Sequence, residues 1–240
     1  QPAAEWRSRR PGVALPLLVA LLLIGVTFRQ VLQWDDMREK AQFARDADHM
    51  GSALSKRLEV QLDMMRALER FLAVTPAVSR EQFRSFVAPW IERYPGTQSF
   101  GWSPLVQHAR RADFETQVRS GGAENFRILD RDRNGRTFPA AEAMEYLPIV
   151  YIEPFAGNAS ALGLNPLSLP AAASALQRAR ASERPAATDA LRLVQESSGQ
   201  QGVVIYLGVR DAESNLRGII SATLRMDDLL TAALAHETPD

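Results

Sequence analysis

The chain opens with one apolar stretch and continues as a mixture of polar and apolar positions. No charged residue occurs among the 18 positions between Arg10 and Arg29, and most of residues 13–28 are Leu, Val, Ala or Ile. As a helix, this stretch would extend about 27 Å, close to the ~30 Å hydrocarbon core of a bilayer. Its apolar residues occur all round the helix rather than along one stripe. The pattern therefore favours a membrane anchor at residues 13–29 over a buried core helix.

The charges beside this stretch predict its orientation. Arg7, Arg9 and Arg10 precede the apolar run, and the positive-inside rule places that end in the cytoplasm. Residues 1–12 would then be cytoplasmic, with the rest of the chain across the membrane. A cleaved signal peptide is the alternative, but residues 27–32 are mostly bulky where a peptidase needs small residues.

A long amphipathic helix is predicted next, over residues 30–75. This segment has a single glycine, Gly51, and no proline before Pro76. Apolar residues recur every three or four positions, at Leu54, Leu58, Leu62, Met65, Leu68 and Leu72. Such a stripe must be buried. Two explanations are open: a stalk that dimerises with a second copy, or a helix that packs only on its own domain.

The remaining pattern alternates helices and strands. Ser79 is a predicted N-cap of a short helix, and Tyr94-Pro95-Gly96 is a turn signal. Strands are predicted at residues 97–107, 126–129, 146–153, 188–195, 203–210 and 216–225, and helices at 110–119, 170–182 and 227–234. The last two strands form a hairpin around residues 211–215. The fold class is α+β with antiparallel sheet.

Composition excludes several classes of function. The 240 residues carry 28 basic and 28 acidic side chains, so nothing indicates a nucleic-acid partner. The chain has no cysteine, which rules out disulfides and thiolate chemistry. Its three histidines are far apart, and neither a nucleophile elbow nor a phosphate-binding loop is present. No cofactor is predicted.

One motif resembles half of a calcium loop. Residues 130–135, Asp-Arg-Asp-Arg-Asn-Gly, match its first positions, but the twelfth position is Ala141 rather than an acid. Asp, Asn and Gly also favour turns. We therefore expect a polar turn here, with calcium as the less favoured interpretation.

Three runs of residues carry a resemblance to a known family. They are Phe100-Gly101-Trp102-Ser103-Pro104-Leu105-Val106, then Asp113-Phe114-Glu115, then Tyr146-Leu147-Pro148-Ile149-Val150-Tyr151-Ile152-Glu153-Pro154. Together with Asn158, Leu162-Gly163 and the segment around Leu176, they resemble the CHASE domain. This domain is the extracytoplasmic sensory module of histidine kinases, diguanylate cyclases and related receptors. The resemblance covers roughly residues 64–225.

The resemblance implies an architecture and a location. The long helix would precede two PAS-like lobes, a membrane-distal ligand-binding lobe at residues 76–200 and a membrane-proximal lobe at residues 201–240. It also implies a homodimer in a bacterial inner membrane, with the sensory part in the periplasm and a cytoplasmic output module outside this sequence.

The resemblance also suggests a ligand and a site. Plant relatives bind adenine-type cytokinins through a threonine and an aspartate, which align here with Thr188 and with Pro154, beside Glu153. Aromatic walls with a few polar groups are typical of small-molecule pockets. We expect Trp102, Tyr151, Glu153, Leu176 and Thr188 to contact an unidentified small molecule. Two alternatives remain: a module that binds a protein partner, and a tethered hydrolase using carboxylates such as Glu145 and Glu153.

Overall fold

The computed structural model describes residues 5–192 and 201–235, without the side chains of 5–15, 31–39, 41, 191–192, 230 and 232–235. The chain divides into two units, residues 1–52 and residues 53–240. The first unit is helical wherever it is described, and its large apolar side chains between Leu17 and Phe28 are exposed. Within the described part of the chain, no helix is long and apolar enough to cross a membrane. The anchor predicted at residues 13–29 gains no support from the structure and stays a prediction.

The helices and strands follow one another in an α+β order. The helices are α1 (Glu5–Val74), α2 (Arg80–Arg93), α3 (Arg111–Ser120), α4 (Pro170–Ala181) and α5 (Met226–Ala235). The strands are β1 (Thr97–Pro104), β2 (Val106–Gln107), β3 (Leu129–Arg131), β4 (Thr137–Pro139), β5 (Glu145–Tyr146), β6 (Tyr151–Glu153), β7 (Ala186–Ala187), β8 (Leu191–Arg192), β9 (Gln201–Arg210) and β10 (Leu216–Arg225).

One antiparallel sheet dominates residues 53–235. Its main order is β6-β1-β10-β9-β7, with β8 pairing beside β7 along β9. Two small antiparallel pairs, β2–β5 and β3–β4, lie outside it. The hairpin predicted around residues 211–215 joins β9 to β10, and β10 pairs with β1 along its length. Strands from both sides of position 200 thus share this sheet, which differs from the predicted separation of residues 201–240 into a lobe of their own.

The two faces of the main sheet bury different helices. On what we call the front face, Phe100, Trp102, Ile220 and Leu207 pack with residues of α1 and α2. On the back face, Tyr206 and Ile219 pack against α4. Successive strand residues point to opposite faces, so the neighbours Ile219 and Ile220 serve different cores.

The apolar stripe of α1 packs on its own domain. Met65, Leu68 and Leu72 are buried in the front-face core, and Leu54 and Leu58 are half-buried against it. The structure thus supplies an intradomain partner for this stripe. The homodimer stays a prediction.

Several predicted strands differ from the observed ones. The strand predicted at 97–107 is divided into β1 and β2, which belong to different sheets, and of the strand predicted at 188–195 the described residues show only β8. Residues 146–153 do not form one strand: β5 and β6 are separate, and Pro148 lies in the break between them. Pro148 cannot donate to a ladder, and β6 is the edge strand that such a proline predicts. The strand predicted at 126–129 begins only at Leu129, and Phe126 and Ile128 are buried core residues that precede it. Of the strand predicted at 188–195, residues 193–195 lie outside the described part of the chain.

Candidate functional site

A cavity of about 580 Å³ lies against the front face, where α1 ends. Its walls come from the loop between α1 and α2, from β1 and β6, from α3, and from the start of β10. The lining includes Leu72, Val78, Arg80, Trp102, Val118, Tyr151 and Arg217. The volume is within the range of sites for small organic molecules.

Local sequence signals shape the wall between the two helices. Helix α1 ends at Val74, two residues before Pro76, which cannot continue it easily. Ser79 then starts α2 with a capping box: its hydroxyl accepts from the Gln82 backbone N–H at 3.2 Å, and the Gln82 side chain accepts from the Ser79 N–H at 2.9 Å. The capping box therefore fixes the end of this five-residue loop at the start of α2.

Two of the predicted site residues meet at this cavity. Trp102 on β1 and Tyr151 on β6 are register partners, so their side chains lie on the same face of the sheet. Trp102 is buried, and Tyr151 is half-buried with its ring centroid 5.7 Å from that of Phe83. The Tyr151 hydroxyl donates to the Val78 carbonyl at 2.9 Å, which ties β6 to the loop after α1.

The Tyr151 phenol stays neutral. Burial raises its pKa above the ordinary value for tyrosine, and the nearby charge of Arg80 offsets part of this rise. A neutral phenol donates one hydrogen bond and retains lone pairs that can accept another. Tyr151 can thus hold the loop and accept a bond from a ligand at the same time.

Glu153 lies on the same side of β6 as Tyr151 but belongs to a neighbouring cleft. It is buried, and its Oε1 accepts from Arg80 Nε at 3.4 Å. Its Oε2 accepts from the Phe155 backbone N–H at 3.2 Å. With Arg80 and Phe155 it lines a second cavity of about 720 Å³ beside α2. Arg80 lines both cavities, so it connects Glu153 to the first one.

Leu176 and Thr188 lie away from this cavity. Leu176 is on α4, in the back-face core with Tyr206 and Ile219, at the edge of a separate cavity of about 500 Å³. Thr188 pairs with β9: its backbone N–H donates to the Val204 carbonyl at 3.0 Å, and its Oγ1 accepts from the Val204 N–H at 3.1 Å. The structure therefore brings together Trp102 and Tyr151, with Glu153 adjacent, and leaves these two residues elsewhere.

An arginine that the sequence analysis did not single out lies at the junction of α1 and the cavity. Arg217, on β10, donates to the carbonyls of Leu72 at 2.6 Å, Ala73 at 3.1 Å and Pro76 at 2.9 Å, with longer contacts to Thr75. The last carbonyls of a helix have no partner within the helix and carry partial negative charge. Arg217 supplies both hydrogen bonds and positive charge to that end of α1.

The calcium-like motif forms the turn between β3 and β4. Asp132 Oδ1 accepts from the backbone N–H groups of Asn134 and Arg136, both at 2.9 Å. Asp130 accepts from Asn165 and from the Ala141 N–H. The carboxylates thus bind the turn itself, and no three acidic or histidine side chains in the described part of the chain are placed to hold a metal.

The carboxylates considered for hydrolysis are both engaged by arginines. Glu145 pairs with Arg180, and Glu153 pairs with Arg80. Glu145 is on the small β2–β5 pair, whereas Glu153 is on the main sheet. Nothing in this arrangement favours acid–base chemistry.

Comparison with known proteins supplies the family. The model of the CHASE domain matches residues 76–240. Hybrid signal transduction histidine kinase A of Dictyostelium discoideum is 27% identical over 155 residues, which is 64% of this chain and 7% of that protein. The chain therefore spans only a small part of the curated relative that it matches.

Solved sensory domains are also similar to this chain. The ligand-binding domain of the amino acid chemoreceptor PctC of Pseudomonas aeruginosa, in complex with GABA, has a TM-score of 0.43 at 15% identity, with 77% of this chain and 62% of that chain covered. The periplasmic sensory domain of the Campylobacter jejuni chemoreceptor Tlp1 has a TM-score of 0.44 at 10% identity, with 81% and 61% covered.

The family model extends over more than half of the chain and includes most of the residues that line the cavity, though not Leu72 on α1. This chain belongs to the CHASE domain family, a family of sensory domains.

Proposed function

We propose that this chain is the small-molecule-sensing part of a signal-transduction receptor, and that the ligand binds in the front-face cavity between Trp102 and Tyr151. The observation that carries the proposal is the position of the cavity. Its wall includes Leu72 in the last turn of α1 and the loop that follows it. A molecule bound there contacts both the sheet and the end of the long helix.

This position provides a route from binding to a signal. Arg217 attaches the end of α1 to the sheet through the Leu72 carbonyl, and the Tyr151 hydroxyl attaches the loop after α1 through the Val78 carbonyl. A ligand that fits one arrangement of these contacts better than another shifts the population toward it. The segment does no chemistry of its own in this proposal.

The cellular location and the oligomeric state of the domain are part of the same proposal. We place it outside the cytoplasm, in the periplasm if the source is bacterial, as a homodimer that passes its signal to an output module. The CHASE family membership and the match to a histidine kinase support this placement. The alternative of a protein-partner module predicts that no small molecule stabilises the fold.

A thermal-shift screen of the whole chain against a metabolite library, including adenine-type cytokinins and amino acids, tests the proposal. A ligand that binds only the folded state stabilises it by about 2.7 kcal/mol at a hundredfold excess over its Kd. For any hit, Val118→Phe, which fills the front-face cavity from α3, should weaken binding at least about tenfold, a loss of ~1.4 kcal/mol.

Ala173→Phe is the matched control, because Ala173 lines the cavity beside Leu176 on the back face. It should leave affinity unchanged. If Ala173→Phe abolishes binding and Val118→Phe does not, the site is on the back face and our placement is wrong. If no compound shifts the melting temperature, the protein-partner alternative gains the support that this proposal loses.

A further inference from the structure

The charged groups of the front-face cavity are all of one sign. Of the described residues that line it, only Arg80 and Arg217 are charged, and none is Asp or Glu. Arg80 forms an ion pair with Glu153, with 3.4 Å between Nε and Oε1. Arg217 contacts neutral backbone carbonyls, and no described carboxylate lies within ion-pair distance of it. The charge of Arg217 also acts on the Asp211 carboxylate in the turn between β9 and β10, but Asp211 does not line the cavity, so the lining itself carries net positive charge.

The rest of the lining is mainly apolar. Trp102, Phe114, Val118, Val150 and Leu162 contribute side chains, and Tyr151 contributes a ring with one hydroxyl. Such a surface favours a ligand with an apolar group, because removing apolar area from water is favourable. A lining of this kind with guanidinium groups at one wall suits a molecule that is apolar at one end and negatively charged at the other.

We infer that the ligand of this cavity is an organic anion, a carboxylate attached to an aromatic or aliphatic body, and that Arg217 receives the carboxylate. This inference rests on the proposed function, since it assumes that the cavity is the ligand site. The planar guanidinium presents five N–H donors in a geometry that matches a carboxylate. Hydrogen bonds between two charged groups are roughly twice as strong as bonds between neutral groups.

Binding of a carboxylate by Arg217 would also affect the end of α1. Both terminal nitrogens of Arg217 already donate to backbone carbonyls, those of Leu72, Ala73 and Pro76 among them, so a carboxylate that binds these nitrogens must replace some of these bonds. A carboxylate competes with these neutral acceptors, so an anion loosens the attachment of α1 to β10. A neutral ligand of the same shape fills the cavity without this competition.

Pairs of molecules that differ only in charge test the inference. We would titrate the whole chain by calorimetry with phenylacetate and phenylacetamide, and with indole-3-acetate and indole-3-acetamide. The inference expects at least one acid to bind about tenfold or more tightly than its amide. It also expects Arg217→Gln to remove this preference while any amide binding stays within about threefold. Arg217→Lys, which keeps the charge, should retain part of the preference.

Arg210→Gln is the matched control. Arg210 is on the neighbouring strand β9 and also donates to backbone carbonyls, at Ser214 and Arg180, but it does not line this cavity. It should keep the preference for the acid. Each variant is used only if its circular dichroism spectrum and cooperative unfolding match those of the unmodified chain.

The outcomes separate this inference from the proposed function. If amides bind as tightly as acids, or no acid binds at millimolar concentration while neutral compounds do, the anion inference is overturned and the cavity remains the site. If an acid binds but Val118→Phe leaves its affinity unchanged, the cavity itself is excluded, and with it the role of Arg217.

Discussion

Gly157 and Gly163 both have positive φ, but their surroundings leave different amounts of space for a side chain. Their φ angles are +83° and +80°, a region that L side chains rarely adopt. A Cβ added at Gly157 would meet nothing within 4 Å, whereas a Cβ at Gly163 would lie 2.2 Å from the Arg127 carbonyl oxygen. The backbone conformation is shared, and only the free space differs.

Gly157→Ala should therefore lower the free energy of unfolding by about 1–2 kcal/mol, the cost of a left-handed conformation for an L residue. Gly163→Ala should cost several kcal/mol more, because the backbone must move to relieve the clash. Urea denaturation of the two variants measures the difference directly. Equal costs would show that the Arg127 carbonyl shifts freely.

At the residue scale, the sequence could indicate residues of the candidate cavity only where their strand positions place them on one face of the sheet. Trp102 and Tyr151 could be proposed because aromatic residues on strands reach a common face. Arg217 could not, because its partners are carbonyls more than 140 positions earlier in the chain. Leu176 lies on the opposite face of the sheet from the cavity, and Thr188 pairs with β9. The sequence alone does not show which face of a sheet a helix covers.

At the scale of elements, the capping box of α2 is the local feature that a single substitution can test. Ser79→Ala removes the acceptor for the Gln82 N–H and should lower the free energy of unfolding by about 1 kcal/mol. Ser120→Ala at the end of α3 is the control: its hydroxyl donates to the Thr116 carbonyl, which is already part of the helix. We expect it to cost less than about 0.5 kcal/mol. Denaturation midpoints at fixed temperature compare the two, and equal losses would contradict the capping role.

Elements with local signals were the ones that the sequence predicted best. Pro76 and Ser79 set the end of α1 and the start of α2, and the predicted hairpin strands agree closely with β9 and β10. The segment 146–153 was harder, because its apolar run is divided between two different sheets. Which partner a short strand finds depends on distant residues, so periodicity alone could not divide it.

At the scale of the whole molecule, distant segments place two acids close to each other. Burial raises the pKa of Glu69 on α1 above its ordinary value; Arg70 counteracts this, and the charge of Glu183, just after α4, adds to it. A carboxyl with a raised pKa in the folded state disfavours folding while it is ionised. The penalty is present at neutral pH and disappears as the pH falls below the ordinary pKa of glutamate.

Glu69→Gln should therefore stabilise the chain at pH 7, and the gain should vanish below about pH 4. Urea unfolding of the variant and the unmodified chain at both pH values measures this. Glu59→Gln, at an exposed position of the same helix, serves as the control and should show no such pH-dependent gain. A loss of stability in the Glu69 variant at pH 7 would mean that its attraction to Arg70 outweighs its burial.

The position of β1 between β6 and β10 also has a consequence for synthesis of the chain. Trp102 pairs on one side with Tyr151 and on the other with Ile220, more than one hundred positions later. At about 5–20 residues per second, a ribosome needs several seconds to deliver that second partner. During this interval the backbone N–H and C=O groups of β1 that later pair with β10 are open, and an unpaired strand edge of this kind can pair with other chains. A nascent chain with this topology is exposed to such pairing until Ile220 emerges, and we expect the long-range closure of β1 on β10 to slow its folding more than the formation of its helices does.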